Sequence, residues 1–150
     1  GPRLVLSHTN PDALVDAVIT DPLTMIASDA VMQNGQGHPR AAGAFARVLA
    51  RYVREQRTLT LPDAIRKMSL MPAQRLARAS AAGARKGRLQ VGADADIAVF
   101  DLATVADRAT YATPAVAATG FRHVLVNGVA VVRDGKMLDV TPGQAIVRER

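Results

Sequence analysis

Apolar residues change their period about midway along this chain, and the change separates two kinds of predicted structure. In the first half, the short run Leu4-Val5-Leu6 predicts a strand. Asn10-Pro11 then predicts a helix start, because an Asn side chain accepts bonds from orphan amides and Pro suits the first helical turn. Leu14, Val15, Val18 and Ile19 give that helix one apolar face. Asp21-Pro22 breaks it, and residues 24–27 predict a second short strand that ends at Ser28 and Asp29. After a loop with Gly35 and Gly37, the residues Phe45, Val48, Leu49, Tyr52 and Val53 follow the i, i+3, i+4, i+7, i+8 pattern of a helix buried on one side. Residues 60–76 predict more helix, with Thr60 and Asp63 spaced like a capping box and Pro72 restarting the helix.

Residues 79–87 turn small, basic and Gly-containing, which predicts a boundary, so the chain divides into residues 1–80 and 81–150. Beyond the boundary the period becomes two. Leu89 with Val91, then Ile97, Val99 and Phe100, then Val124 with Val126, then Val129, Val131 and Val132 predict strands. Asn127-Gly128 predicts a hairpin, because a type I′ turn needs positive φ at both central residues, and Asp134-Gly135 predicts another turn. The fold class is therefore α/β, a βαβα segment followed by antiparallel strands. Two parallel strands leave edges of unpaired amides and carbonyls, so strands near residues 4–8 and 24–28 predict that more sheet lies elsewhere.

Composition narrows the partners. A chain of 150 residues that is 49% apolar can bury a core. Its 19 basic and 13 acidic residues give +6, which raises nucleic acid as a partner. The arginines at 47, 51, 54, 66, 75 and 78 are instead spread through predicted helices, and two Tyr and three Phe leave little for stacking on bases. A solvated basic face without nucleic acid is the expectation. There is no cysteine, hence no disulfide and no thiolate metal site. No apolar run approaches the roughly 20 residues that span a bilayer, and the start is unlike a signal peptide. No membrane partner and a cytoplasmic setting are expected, although Gly1-Pro2 without an initiator Met reads as a cut end.

Asp29 is the foremost chemical candidate. It follows a predicted strand, and in a βα barrel that is the face where catalytic groups converge; taken alone, an Asp there serves ordinarily as a turn cap. His8, His38 and His123 show no His-x-His spacing, and structural roles are expected for His8 and His123. Residues 34–37 lack the phosphate-loop pattern and read as a mobile substrate loop. Residues 92–96 alternate acidic positions without the calcium-loop pattern and read as a turn entering a strand.

Several stretches, taken in order, resemble one family. They are Met25-Ile26-Ala27-Ser28-Asp29, His38-Pro39-Arg40 with Phe45, Arg47, Val48, Leu49, Tyr52, Val53, Arg54 and Glu55, and Ala64-Ile65-Arg66-Lys67-Met68. Pro72-Ala73, Lys86-Gly87-Arg88-Leu89, the run from Gly92 to Asp101, and Val124-Leu125-Val126-Asn127-Gly128 follow. Together they resemble the amidohydrolases, and Asp107 with Ala109-Thr110-Tyr111 and Pro114 resembles the N-acyl-D-amino-acid deacylase (D-aminoacylase) branch.

The resemblance implies the last two βα units of a (β/α)8 amidohydrolase barrel with its following helices, plus the C-terminal part of a small β-sandwich domain. It implies that Asp29 ends strand 8, binds a catalytic zinc (one or two divalent ions), takes a proton from the metal-bound water and returns it to the leaving amine. Arg40 is implied to grip the α-carboxylate of an N-acyl-D-amino acid, with His38 in the same substrate-binding loop. The remaining ligands are expected upstream of Gly1, so the isolated chain is expected to be inactive and to need the missing upstream barrel region or a second copy. Ala30 departs from the family, where glycine often follows the aspartate, and narrows the space beside the substrate. Two alternatives stay open: a dihydroorotase- or hydantoinase-like enzyme acting on a cyclic amide, which the His38-Pro39-Arg40 loop disfavours, and a non-catalytic module associating with another chain.

Overall fold

Helix α1 (Asp12–Thr20) begins after Pro11, whose fixed φ of −63 and extended ψ turn the chain into the helix. The amides of Leu14 and Val15 bond to Pro11 O, so Pro11 is the cap and Asn10 stands one residue too early to cap with its side chain. The computed structural model describes residues 10–147; the predicted strand at Leu4-Val5-Leu6 and His8 lie outside them.

The strand expected over residues 24–28 does not form among the described residues. The stretch is bonded to a helical turn instead of a strand neighbour. Ile26 N–H donates to Lys67 O (3.1 Å), and the Lys67 ammonium donates to Asp21 O and to Thr24 O and Oγ1, the last two at 3.1 Å. Lys67 is 2% exposed, a buried cation held by three uncharged oxygens. Residues 34–37 are no loose loop either. β1 (Met32–Gln33) and β2 (Gln36–Gly37) pair in a hairpin whose turn, Asn34-Gly35, has φ of 51 and 74.

Helix α2 (Arg40–Arg47) continues without a break into wider, i to i+5 turns over Val48–Glu55. Val48, Leu49, Tyr52 and Val53 are buried as their spacing predicts, each fully buried aliphatic stabilising by roughly 1.5–3 kcal/mol. Phe45 departs from the pattern. It is 42% exposed and borders an open apolar groove of about 340 Å³ between α2 and the sheet described below, shared with Ile65, Phe100, Phe121 and Val124.

Thr60 caps α3 (Leu61–Ile65) by accepting from Asp63 N–H (3.2 Å), and its hydroxyl donates to the Asp63 carboxylate (2.6 Å) in place of the usual reciprocal bond. A wide turn, Arg66–Leu70, then leads into α4 (Met71–Leu76). Pro72 has no amide and its ring crowds the carbonyl one turn back, so the turn before it widens and the helix restarts as expected. A short α5 (Ala81–Ala84) lies within the predicted boundary.

The second half forms one antiparallel sheet in the order β3 (Ile97–Phe100), β4 (Phe121–Val126), β5 (Val129–Arg133), β6 (Lys136–Met137). Asn127-Gly128 and Asp134-Gly135 close its two tight turns, with φ of 49 and 77, and of 50 and 75. The sheet packs on α2 through Val105, which is fully buried against Ala46 and Leu49 with Phe100 and Phe121 around it. Arg54 joins the two halves by donating to Leu102 O and Val105 O. Leu89 and Val91 are not in a strand; they are 80% and 102% exposed in a turn where Ala93 N–H bonds to Gln90 O. Both described sheets are antiparallel, and no described helix is long and apolar enough to cross a membrane.

That turn is drawn in by charge. Asp94 meets Arg85 and Lys86 (both 3.0 Å), while Asp96 bonds Lys86 and accepts from Asn127 N–H (2.8 Å). The acidic alternation of residues 92–96 is thus matched by basic groups and needs no calcium. Hydrogen bonds from Arg85 and Lys86 hold Asp94 below the usual carboxylate range. For Asp96 burial works upward, but the Lys86 and Asn127 bonds leave it lowered; Lys86 is raised, chiefly by its bond to Asp96. Lowered carboxylates contribute stability that is present above the unfolded value near 4 and lost as pH falls through the folded values. The raised Lys86 contributes below about 10.4 and loses that contribution only as pH rises through its higher folded value. Amide-exchange protection of Asn127 and Gly128 is therefore expected to stay level from pH 8 to 5 and fall below about pH 4. The step should vanish in Asp96→Asn; a wild-type protection that persists unchanged to pH 2 would count against the clamp.

Candidate active site

Residues 24–29 run toward the β1–β2 hairpin, which folds the chain back and brings two residues distant in sequence together. Asp29 ends this stretch with φ of 39, in the left-handed region that Asp tolerates better than most residues. Its carboxylate is 93% exposed and lies 3.5 Å from the guanidinium of Arg40, the first residue of α2. An arginine at a helix N-terminus opposes the macrodipole, so its placement there needs a reason outside the helix. Such a surface pair stabilises by less than about 1 kcal/mol, which leaves both groups available to other partners.

His38 stands directly behind this pair. Its Nδ1 accepts from Arg40 N–H (3.1 Å), and its Nε2 is 3.3 Å from the hydroxyl of Tyr111. The two rings meet edge to face, with centroids 5.2 Å apart and planes at 70°. Because Nδ1 is an acceptor, the ring proton sits on Nε2, which donates to the Tyr111 oxygen. A pocket of about 340 Å³ opens here, lined by His38, Arg40, Arg47, Asp107, Thr110 and Tyr111. The three site residues expected from sequence, Asp29, His38 and Arg40, thus lie together.

Asp107 and Tyr111 were visible in the sequence only as part of a motif, and their place beside this site was not. The Asp107 carboxylate accepts from Ala109 N–H (2.9 Å), approaches Arg47 (3.8 Å), and rests so closely on Gly43 that a Cβ there would stand 1.9 Å from its Oδ1. Gly43 is the signal that could have found it. A glycine inside a helix costs about 1 kcal/mol relative to Ala, and close approach by another group is a standard reason to keep one. His123 keeps its structural role: it sits on β4, with Nδ1 accepting from Asp134 N–H (3.5 Å).

The described residues do not gather a full set of metal ligands. Zinc is held by three or four protein ligands, and among the described residues no group of three or more His, Cys, Asp or Glu converges. Asp29, an exposed carboxylate, suits one ligand position of a site completed by other residues.

Comparison with known proteins bears on this geometry. The profile of the amidohydrolase family matches residues 4–132. An N-acyl-D-glutamate deacylase of Alcaligenes xylosoxydans xylosoxydans is 50% identical over 107 residues, 71% of this chain and 21% of that protein. A solved D-aminoacylase, described with a binuclear metal center, superposes with a TM-score of 0.78 at 36% identity, covering 87% of this chain and 26% of that one. An N-acyl-D-glutamate deacylase from Bordetella bronchiseptica, solved with zinc and a phosphonate mimic of the tetrahedral intermediate, superposes with a TM-score of 0.74 at 41% identity over 85% of this chain and 27% of that one. The chain spans about a fifth to a quarter of the length of these relatives.

Proposed function

This chain belongs to the amidohydrolase family, and from that premise we propose that it is the C-terminal part of a zinc-dependent enzyme hydrolysing the amide bond of N-acyl-D-amino acids. The observation that carries the reading is the Asp29–Arg40 pair between residues 24–28 and α2, a base beside an anion-binding group at 3.5 Å. Asp29 then stands where the eighth strand of a (β/α)8 barrel would end, although residues 24–28 form no strand among the described residues; residues 1–80 are the barrel's C-terminal portion with the helices that follow, and residues 81–150 a segment of a small β-sandwich domain. Exposed apolar side chains support a cover from elsewhere: Leu14, Val18, Leu23 and Val31 all face outward. The upstream barrel, or failing that a second copy, supplies it.

Asp29 would hold part of the coordination of one or two divalent ions completed from upstream, and such a metal would offer an activated water and a polarised amide carbonyl. Asp29 contributes one carboxylate to holding the ion and acts as the proton carrier. As the C–O bond forms Asp29 takes the water's proton, and as the C–N bond breaks it gives that proton to the departing amine. Arg40 turns from Asp29 to the substrate's α-carboxylate, where its planar fork donates two parallel charge-assisted bonds. His38, whose ring nitrogens already bond Arg40 N–H and Tyr111, serves the substrate by fixing the turn that carries Arg40.

Arg40→Lys in the full-length enzyme tests this. KM for N-acyl-D-amino acids is expected to rise about ten- to a hundredfold, because a point charge loses the bidentate geometry. An acyl amide without a carboxylate should hardly notice the change. Equal losses on both substrates would assign Arg40 to folding, and no loss on either would return it to the solvated surface.

A further inference from the structure

The segment over residues 107–114 belongs to the strand-rich half, yet it reaches the turn before α2. Its base is closed by the bridge between Ala106 and Thr119, whose amides and carbonyls exchange bonds at 3.2 and 3.0 Å. Its tip is a self-bonded turn: Thr110 and Thr113 exchange backbone bonds (3.3 and 3.2 Å), and their hydroxyls meet at 2.8 Å. Two side chains project from this self-bonded piece onto the other half. Asp107, with a side chain only 15% exposed, seats on the bare Cα of Gly43 inside α2. Tyr111 sets its ring edge and hydroxyl against His38.

We infer that residues 107–114 form a strap across the two halves of the chain, and that Asp107 and Tyr111 are positioning residues for Arg40. Both contacts lie on the same short element of the target. Asp107 fixes the first turn of α2 at Gly43, and Tyr111 holds the ring whose Nδ1 accepts the main-chain amide of Arg40. The backbone from which the Arg40 guanidinium extends is thereby anchored at both ends. Without the strap, the guanidinium samples positions away from the substrate carboxylate, and its two parallel bonds, which hold ground state and transition state alike, are made only part of the time. The inference rests on the reading of Arg40 as the carboxylate-binding group.

The test uses the full-length enzyme carrying Tyr111→Phe, Tyr111→Ala or Gly43→Ala, where the added methyl must displace the Asp107 carboxylate. KM for an N-acyl-D-amino acid is expected to rise about tenfold in Tyr111→Ala and Gly43→Ala and less in Tyr111→Phe, with kcat nearly kept. An acyl amide lacking the carboxylate should be unaffected. In an Arg40→Lys background the same replacements should add little, because a lysine has no fork to misalign. Nitrogen-15 shifts of the His38 ring give a readout independent of activity: the wild-type enzyme should show the proton on Nε2, and in Tyr111→Ala the ring, no longer held at Nε2, should let go of Arg40 N–H and lose that fixed tautomer. Losses of equal size on both substrates, full additivity with Arg40→Lys, or an unchanged His38 spectrum would each overturn the strap. If Arg40→Lys alone fails to discriminate the substrates while the His38 spectrum responds to Tyr111→Ala, it is the carboxylate reading that has failed, and the strap's positioning role falls with it while the contact stands.

Discussion

Asp29→Asn in the full-length enzyme is expected to lower kcat by about 10²- to 10⁴-fold, the range attached to a lost general acid–base group. Asparagine has nearly the same shape, so the backbone at φ of 39 is as comfortable with it as with Asp. What it lacks is the negative charge and a site that can accept the attacking water's proton and release it to the amine. Folding should survive, because the exposed pair with Arg40 contributes less than about 1 kcal/mol. Steady-state rates on an N-acyl-D-amino acid, with zinc content measured on the same preparation, check the claim. A variant that kept most of the wild-type rate at unchanged metal content would remove Asp29 from the proton-transfer step.

The largest expected effect on stability comes from Lys67→Met. Methionine fills much of the same space but leaves Asp21 O, Thr24 O and the Thr24 hydroxyl without the ammonium that now serves all three. The bonds lost at these part-buried acceptors are charge-assisted, and about 2–4 kcal/mol is the expected loss even though Asp21 O keeps the Thr24 amide and hydroxyl. The damage is local before it is global, since these oxygens belong to the stretch that leads to Asp29. Hydrogen exchange at the Ile26 amide, bonded to Lys67 O, should accelerate by roughly 30- to 1000-fold in the variant, which is that loss read as a rate. Exchange at Ile26 unchanged from wild type would mean that the ammonium does not hold the segment.

What could be read from the sequence followed from chemistry confined to neighbouring residues. Asn127-Gly128 and Asp134-Gly135 both turn where the pairs predict, because few other residues accept positive φ twice in succession. The helix at residues 40–55 shows its spacing faithfully at Val48, Leu49, Tyr52 and Val53. Residues 24–28 failed as a strand because an apolar run specifies burial without specifying what bonds the backbone, and Lys67 provides those bonds instead. Leu89 and Val91 failed because two alternating positions are too few to oppose the charge clamp that bends residues 85–96 into a turn. At the site, Asp29 and Arg40 were accessible through family resemblance, since each lies in a local motif. Gly43 under Asp107 and His38 against Tyr111 depend on contacts across more than sixty residues; a glycine inside a helix can flag a close approach, but no local pattern names Asp107 or Tyr111 as the partner.

The two tight turns of the sheet also set an order of events when the chain folds. β4, β5 and β6 join through two-residue connections, as short as the turn between β1 and β2, so their pairing gives up little chain entropy. β3 must find β4 across the whole of residues 101–120, and Asp107 must find Gly43 across a longer span still. The meander is therefore the natural nucleus, and α2 docks on a surface that already exists. Mutations in the meander should slow folding, whereas those at the Gly43–Asp107 seat should leave that rate alone and hasten unfolding. The contact that orients the site is then among the last to form and the first to let go.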